Sequence, residues 1–428
     1  MVNASQTQVD SELLTTIPDF YAHHDRSALF RRLRHEAPVS FHPELPCPWL
    51  PEGGRGYWAV TRYEDLRFVT RNPKLFSSAE GTNPQDEPEF RVRALGMLHM
   101  DDPEHRAYRA IVSQAFALRH LQQIETTMAT LADNIIDGLL TGEELDLVNE
   151  VVNRYPVSII AKLLGLPEAD YPMFVENTRL AFGADREKGA LAHKALIDYG
   201  TSLAELRRRE PGDDLVTRIV ETEYEGRRLS DSEVGGFVSL LIGAGAETTG
   251  SSLALGIQLL SDNPEQWRAL KADRSLLPNA VDEIIRFASA VINFRRNAME
   301  DCELGGCQIR KGDKVVLFYQ SANFDETVFE NPETFDIRRR NAKQNVSFGA
   351  GGPHQCLGEQ LGKRELAIFL DRLLDRRDEM KSVYGELYVK LKQNPQLLEN
   401  ILDILIGIAS QWNPEEAKSA REVRERLT

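Results

Sequence analysis

Between residues 117 and 275, apolar positions recur at the three-and-four spacing of amphipathic helices. The pattern predicts helices over 119–140, 146–164, 169–184, 190–207, 213–222 and 231–261. "DDPEHRAYRAIVSQAF" (101–116) reads the same way, with Ile111 and Ala115 in its apolar stripe, Asp102 placed to cap and Pro103 suited to a first turn. Further helices are predicted over 264–273, 278–289 and 358–376. The 231–261 helix carries the strongest end signals. Ser230 and Glu233 have capping-box spacing, and Ser261-Asp262-Asn263-Pro264 stops it. At 1.5 Å per residue such a helix spans roughly 45 Å, enough to cross a domain. Strand signals are fewer. Tyr57, Trp58 and Val60 open "GYWAVTRYEDLRFVTRN" (56–72) before it turns helical, and "CELGGCQIRKGDKVVLFYQ" (302–320) alternates short strands with Gly-Gly and Lys-Gly-Asp turns. Residues 1–50 and 321–357 read as irregular, and no internal repeat is present. The pattern is a mainly α body with a small β part (α+β), not alternating βαβ units.

Composition narrows the picture. The 428 residues are 42% apolar and 27% charged, an ordinary balance for a globular chain. A net charge of −15 argues against wholesale binding to nucleic acid or anionic membrane. The opening "MVNASQTQVDSELLTTIPDF" has no basic segment followed by an apolar one, and no run of about 18 apolar residues occurs, so no membrane anchor is expected. Four cysteines, at 47, 302, 307 and 356, make no disulfide framework and point to a reducing compartment, the cytoplasm. Cys302 and Cys307 have poor zinc spacing.

Cys356 stands apart, inside "FGAGGPHQCLG" (348–358). A Walker loop needs a lysine after its last glycine, and here Glu359 follows Gly358; the dinucleotide fingerprint needs glycine where His354 stands. A thiol buried as a small hydrophobe is the plain alternative. The glycines before it suit close approach to a ligand. A thiolate ligand also gains from backbone N–H groups at a helix start, which the 358–376 helix offers.

"FGAGGPHQCLG" resembles the haem-binding loop of the cytochrome P-450 superfamily, whose cysteine thiolate is the proximal haem ligand. Phe348 to Cys356 is eight steps, one more than the usual loop. Four more segments follow the family in order: "DDPEHRAYR" (101–109), "AGAETT" (244–249), "EIIR" (283–286) and "FRRNA" (294–298). The resemblance covers about residues 15–378 and implies the P-450 fold, with the long central helix lying over haem b.

It also implies roles. Cys356 would ligate iron, and Phe348, Gly352 and Gly358 of its loop would lie against the cofactor. His105, Arg109, Arg296 and His354 would bind the two propionates. Ala244 and Gly245 would let the macrocycle and O2 lie against the helix. Thr248 and Glu247 would form the catalytic proton relay. Glu283 and Arg286 would be a structural lock, completed by Arg339 or Arg340: counting from Phe335 favours the first, counting back from Phe348 the second. Without the resemblance, His105 and Arg109 read as a pair on a solvated helix face, and Glu283 and Arg286 as a surface salt bridge.

The implied reaction is insertion of one oxygen atom of O2 into a C–H bond of a small hydrophobic substrate of the sterol, terpene or branched-lipid class. Pocket walls are expected from 78–98, 175–190, the 240–248 face and Val291, Ile292 and Asn293. Electrons are expected from NAD(P)H through a separate ferredoxin reductase and ferredoxin, docked near Arg106, Arg338, Arg339, Arg340, Lys343, Lys363 and Arg364. A monomer is expected. A peroxide-driven peroxygenase and a non-catalytic haem sensor or carrier are the alternatives. The chain departs from the family after residue 378: instead of a β-hairpin, 379–428 has helical spacing at Leu397, Leu398, Ile401, Leu402, Leu405 and Ile408. That segment is expected to be a helical unit distinct from the 1–378 haem domain.

Overall fold

The computed structural model describes residues 26–44, 52–86, 96–115, 118–139, 154–181 and 186–376. Cys47 and the helical segment expected over 379–428 lie outside them. The helices are α1 (Arg26–Glu36), α2 (Tyr63–Arg71), α3 (Glu104–Ala115), α4 (Leu118–Leu139), α5 (Arg154–Leu163), α6 (Tyr171–Ala181), α7 (Arg186–Arg209), α8 (Leu215–Glu221), α9 (Asp231–Asp262), α10 (Pro264–Ala272), α11 (Leu277–Ala288), α12 (Tyr319–Ala322) and α13 (Glu359–Arg376). The strands are β1 (Val39–His42), β2 (Tyr57–Val60), β3 (Phe76–Ser77), β4 (Asn293–Ala298), β5 (Cys302–Leu304), β6 (Cys307–Ile309) and β7 (Lys314–Phe318).

Helix α9 runs through the helical body and packs against α5, α7, α11 and α13. Its capping box forms as expected, with the Ser230 hydroxyl accepting from the Glu233 N–H and the Glu233 carboxylate accepting from the Ser230 N–H. Val234, Val238, Ile242, Ala246, Leu253 and Ile257 join its faces to one large core. Glycines allow the close approaches: a Cβ on Gly256 would lie 2.9 Å from the Ile284 side chain of α11.

Five strands form a mixed sheet in the order β1-β2-β7-β4-β3, in which only β2 and β7 run parallel. β7 sits at the centre and is buried along its whole length, the apolar run 315–318 together with Lys314. β5 and β6 form a separate hairpin turned by Gly305 and Gly306, both at positive φ, which fits the Gly-Gly signal.

Two expectations need correction. Residues 1–50 are not irregular throughout, because α1 and β1 fall within them. The apolar signal of α1 is short, chiefly Phe30 and Leu33. Its position depends on tertiary contacts: Arg34 is buried and donates to Glu326 and to the Ser321 hydroxyl. Nor is a cap bond from the Asp102 side chain to α3 seen among the described residues; that side chain pairs with Arg106 at 3.0 Å and lies 3.5 Å from His105 Nδ1.

Glu365 of α13 is a buried carboxyl group with no hydrogen bond to Oε2 among the described residues. Burial raises its pKa well above the usual carboxylate range. The folded chain therefore keeps a proton there to higher pH than the unfolded chain does, so this group lowers stability as pH rises above its unfolded pKa. Glu365→Gln is expected to raise the melting temperature by about 2 °C or more at pH 8. It should change little near pH 4, which thermal melts at the two pH values will check.

Candidate functional site: a cysteine loop beside a cationic cradle

The loop before α13 is closed by its own backbone. Cys356 N–H donates to Phe348 O at 2.8 Å, and Gly351 N–H donates to the Gln355 side-chain oxygen at 2.8 Å. Gln355 in turn donates to Glu359 in the first turn of α13. Gly349, Ala350, Gly351 and Gly352 all have positive φ, a run that favours glycine. The Cys356 side chain is accessible although protein surrounds it on most sides, so it opens on a cleft. Burial pushes its thiol pKa up, while the N–H groups of Gly358 and Glu359 and the Arg109 charge pull it down. Lys363 Nζ lies 5.2 Å from the centre of the Phe348 ring.

Four basic side chains converge next to this loop. The His105 and His354 rings lie against each other, with centres 4.1 Å apart and planes tilted by 32°. Arg109 donates to Gln355 O at 2.5 Å, one residue before the cysteine. Arg296 is buried, and its guanidinium makes one hydrogen bond among the described residues, from Nη1 to Arg295 O at 2.7 Å. The pKa of His354 is held down at about 2, first by burial and then by Arg296, His105 and Arg109. His105 is also lowered, by burial and by Arg109, against the opposing pull of Asp102. His105 is almost fully buried, so the solvated-face reading fails.

Haem fits this donor set. A guanidinium can donate five hydrogen bonds, and buried donors are normally satisfied. Arg296 thus has donors left over for an anion, and a group with two carboxylates would meet Arg296, Arg109, His105 and His354 together. The accessible thiol beside them suits a metal at the centre of that group.

Helix α9 supplies another wall. Ala244 and Glu247 are accessible and Thr248 is partly so, in the middle of a helix packed by four others, while Gly243, Ala246 and Thr249 are buried. The accessible stripe therefore borders a cleft. The cysteine helix packs on the neighbouring buried face of α9: a Cβ on Gly362 of α13 would lie 3.5 Å from Thr249 Oγ1. Thr248 Oγ1 donates to Ala244 O at 2.7 Å, which leaves its lone pairs free to accept. Burial raises the pKa of Glu247.

Two glycines do not act as first read. The space beside Gly245 is taken by Ile160 of α5, whose Cδ1 would be 2.4 Å from an added Cβ, so this glycine serves helix packing and Ala244 borders the cleft. Gly352 lies under the end of α2, where an added Cβ would be 2.1 Å from Thr70 O. Its missing side chain lets the loop pass the backbone of α2. Gly358 stays beside the thiol, with Cys356 Sγ 3.9 Å from its Cβ position. Val291, Ile292 and Asn293 are half-buried at the start of β4. Ile292 packs with Phe30 and Phe318, and Val291 with the core on the sheet's other side.

Glu283 and Arg286 are fully buried and doubly bonded, at 2.8 and 2.9 Å, which excludes a surface salt bridge. The third member is Arg339, whose Nε is 3.0 Å from Glu283 Oε1, while Arg340 is exposed. The extra positive charge is absorbed by carbonyls. Arg286 donates to Asn323 O and Pro332 O, and Arg339 to Glu330 O, Asn331 O and Thr334 O. The rings of Phe287, Phe324 and Phe329 also lie within 5.2 Å of the Arg286 guanidinium. The unpredicted link to the loop is Asn323. It takes Arg286 on its carbonyl, accepts from Val346 N–H, and donates to Ser289 and Ser347 just before Phe348.

Comparison with known proteins agrees with this geometry. The Cytochrome P450 family model matches residues 160–378. The methyl-branched lipid omega-hydroxylase of Mycobacterium tuberculosis (strain ATCC 25618 / H37Rv) is 38% identical over 369 residues, 83% of this chain and 86% of that protein. The steroid C26-monooxygenase of Rhodococcus jostii (strain RHA1) is 35% identical, covering 84% of this chain and 78% of that one. A solved Mycobacterium marinum cytochrome P450 in complex with pseudoionone superposes with a TM-score of 0.79 at 35% identity, over 84% of this chain and 90% of that chain. The chain belongs to the cytochrome P450 family and is a haem-dependent monooxygenase.

Proposed function

We propose that the chain hydroxylates a branched or steroid-type aliphatic side chain, using electrons from NAD(P)H passed through a separate ferredoxin reductase and ferredoxin. The observation that carries the site assignment is the pairing of an accessible cysteine with a largely unsatisfied buried arginine, Arg296. The substrate class rests on the names of the relatives, a methyl-branched lipid hydroxylase and a steroid monooxygenase. An apolar substrate also suits a cleft bordered by Ala244.

In this reading Cys356 holds the iron, and His105, Arg109, Arg296 and His354 hold the two carboxylates. The haem supplies the oxidising power for C–H hydroxylation. His354, kept neutral first by burial and then by its cationic neighbours, donates a hydrogen bond without needing a charge. Thr248 accepts a proton-bearing partner on its free lone pairs while its own hydrogen stays on Ala244 O. Glu247, with its raised pKa, keeps a proton more readily than a solvated carboxylate and passes it toward Thr248. The electron donor docks on the face carrying the exposed Arg338, Arg340 and Lys343. Arg339 drops out of that surface because it is buried in the lock, and Lys363 and Arg364 are engaged by Asp282, Glu359 and Glu125.

The test is reconstitution with ferredoxin, ferredoxin reductase and NADPH, using phytanic acid and cholest-4-en-3-one as substrates. Hydroxylated product that needs all three components supports the reading. Equal turnover with hydrogen peroxide alone would favour a peroxygenase instead. Thr248→Ala is expected to keep consuming NADPH while hydroxylated product per NADPH falls by about tenfold or more. Product analysis against nucleotide consumption will read that ratio.

A further inference from the structure

Arg295 and Arg296 are neighbours on β4 and project to opposite sides, as strand geometry requires. Arg296 is left with donors to spare, but Arg295 is bonded through all three of its guanidinium nitrogens. Its Nε donates to Asn297 Oδ1 at 2.9 Å. Its Nη1 donates to Asp86 Oδ1 at 2.8 Å and reaches Gln85 O and Asn83 O at 3.3 and 3.4 Å. Its Nη2 donates to Glu80 O at 2.8 Å. The Arg295 backbone N–H donates to Thr82 O at 2.6 Å. Residues 80–86 are thus wrapped around one buried guanidinium.

A second buried cation closes the wrap. Lys314 of β7 is fully buried and lies 2.6 Å from Glu44 and 2.8 Å from Asp86. Asn297 donates to the Glu80 carboxylate, and Asp86 N–H donates to Glu44. The wrapped segment also touches the cradle side. The Thr82 hydroxyl is 2.9 Å from His99 Nε2 in the 3-10 turn Gly96–His99, which packs on both α3 and α9. Just upstream, Ser77 and Ser78 bond Asp101, which precedes α3 with His105 and Arg109. Burying two cations is costly unless each is paired, and ordering seven residues adds a conformational cost. A surface loop with no further task does not need such a clamp.

We propose that Arg295, backed by Lys314, is a positioning residue. It fixes segment 80–86 against the Gly96–His99 turn and so sets how tightly the site holds a bulky apolar ligand, without itself touching the cofactor. This rests on the haem reading for the ligand it would affect. Strand β4 then serves the cofactor with one arginine and the pocket wall with the next.

The test uses Arg295→Gln, Arg295→Lys and the milder Asp86→Asn in the full chain, with two readouts. The first is backbone hydrogen exchange of peptides covering 80–86, measured in haem-free protein. The second is spectral titration of haem-loaded protein with econazole, whose azole binds iron and whose aromatic body needs the wall, and with imidazole, which needs iron alone. Expected for Arg295→Gln and Asp86→Asn are faster exchange at 80–86 and econazole binding weakened by about tenfold, with imidazole binding within about twofold of wild type. Arg295→Lys should recover part of both losses. Unchanged exchange, unchanged econazole binding, or equal loss for both azoles would overturn the proposal; equal loss would mean that Arg295 supports the cofactor site as a whole. Wild-type protein that takes up no haem would instead sink the family chemistry and leave the exchange comparison standing. Should Arg295→Gln fail to fold, Asp86→Asn carries both readouts, since Asp86 is partly exposed.

Discussion

Glu283→Ala is expected to destabilise the fold more than any other single change to the buried lock. The carboxylate is fully buried and accepts from both Arg286 and Arg339, so its removal strands two guanidinium groups inside the core. Removing one partner of a buried pair costs about 3–5 kcal/mol. A domain is stable by about 5–15 kcal/mol in all, so the loss takes a large share. The damage should reach the cysteine loop, because Arg286 holds Asn323 and Asn323 holds Val346 and Ser347. Two companion substitutions separate the lock from general surface charge. Arg339→Ala should destabilise by about 3 kcal/mol, while its exposed neighbour Arg340→Ala should stay within about 0.5 kcal/mol of wild type. Denaturant melts of the three variants check the order, and equal effects at 339 and 340 would refute the assignment.

The largest effect on activity is expected at Cys356. A serine there keeps the loop hydrogen bond from 356 N–H to Phe348 O and is close in size, so the fold should persist. A serine hydroxyl is a far weaker acid than a thiol and offers no anionic sulfur to a metal. Without an anionic sulfur the electronic push that favours O–O cleavage is gone. Cys356→Ser should therefore melt near the wild-type haem-free temperature and give no hydroxylated product from the reconstituted system. Retained turnover would mean that another residue ligates the iron.

Local signals explain what was legible in the sequence. Helix α9 was readable because its capping box and its Asn263-Pro264 stop are written in adjacent residues. The cysteine loop, the lock pair and the basic residues of the cradle are spaced motifs in the sequence, and the fold brings His105, Arg109, Arg296 and His354 together around His354. What was not legible depends on long-range partners. Helix α1 shows two strong apolar positions and relies on Arg34 reaching Ser321 and Glu326 far along the chain. Arg339 and Arg340 are adjacent in an irregular turn, so counting from either side cannot say which one points inward. Gly245 and Gly352 were assigned to the ligand because a glycine advertises close approach but not to what; Ile160 and Thr70 are the answers. Arg295 had a usable signal that went unread: two consecutive arginines on a strand must face opposite ways, so one of them had to serve something other than the cofactor.

The central claim is that sulfur from Cys356 binds the iron of a haem held by Arg296 and its neighbours. The most direct measurement is the optical spectrum of the reduced, haem-loaded wild-type protein under carbon monoxide. A strongly red-shifted Soret band, the signature of thiolate ligation, is the predicted result. A Soret band at the position given by imidazole ligation, or a chain that stays colourless with hemin supplied, would contradict it.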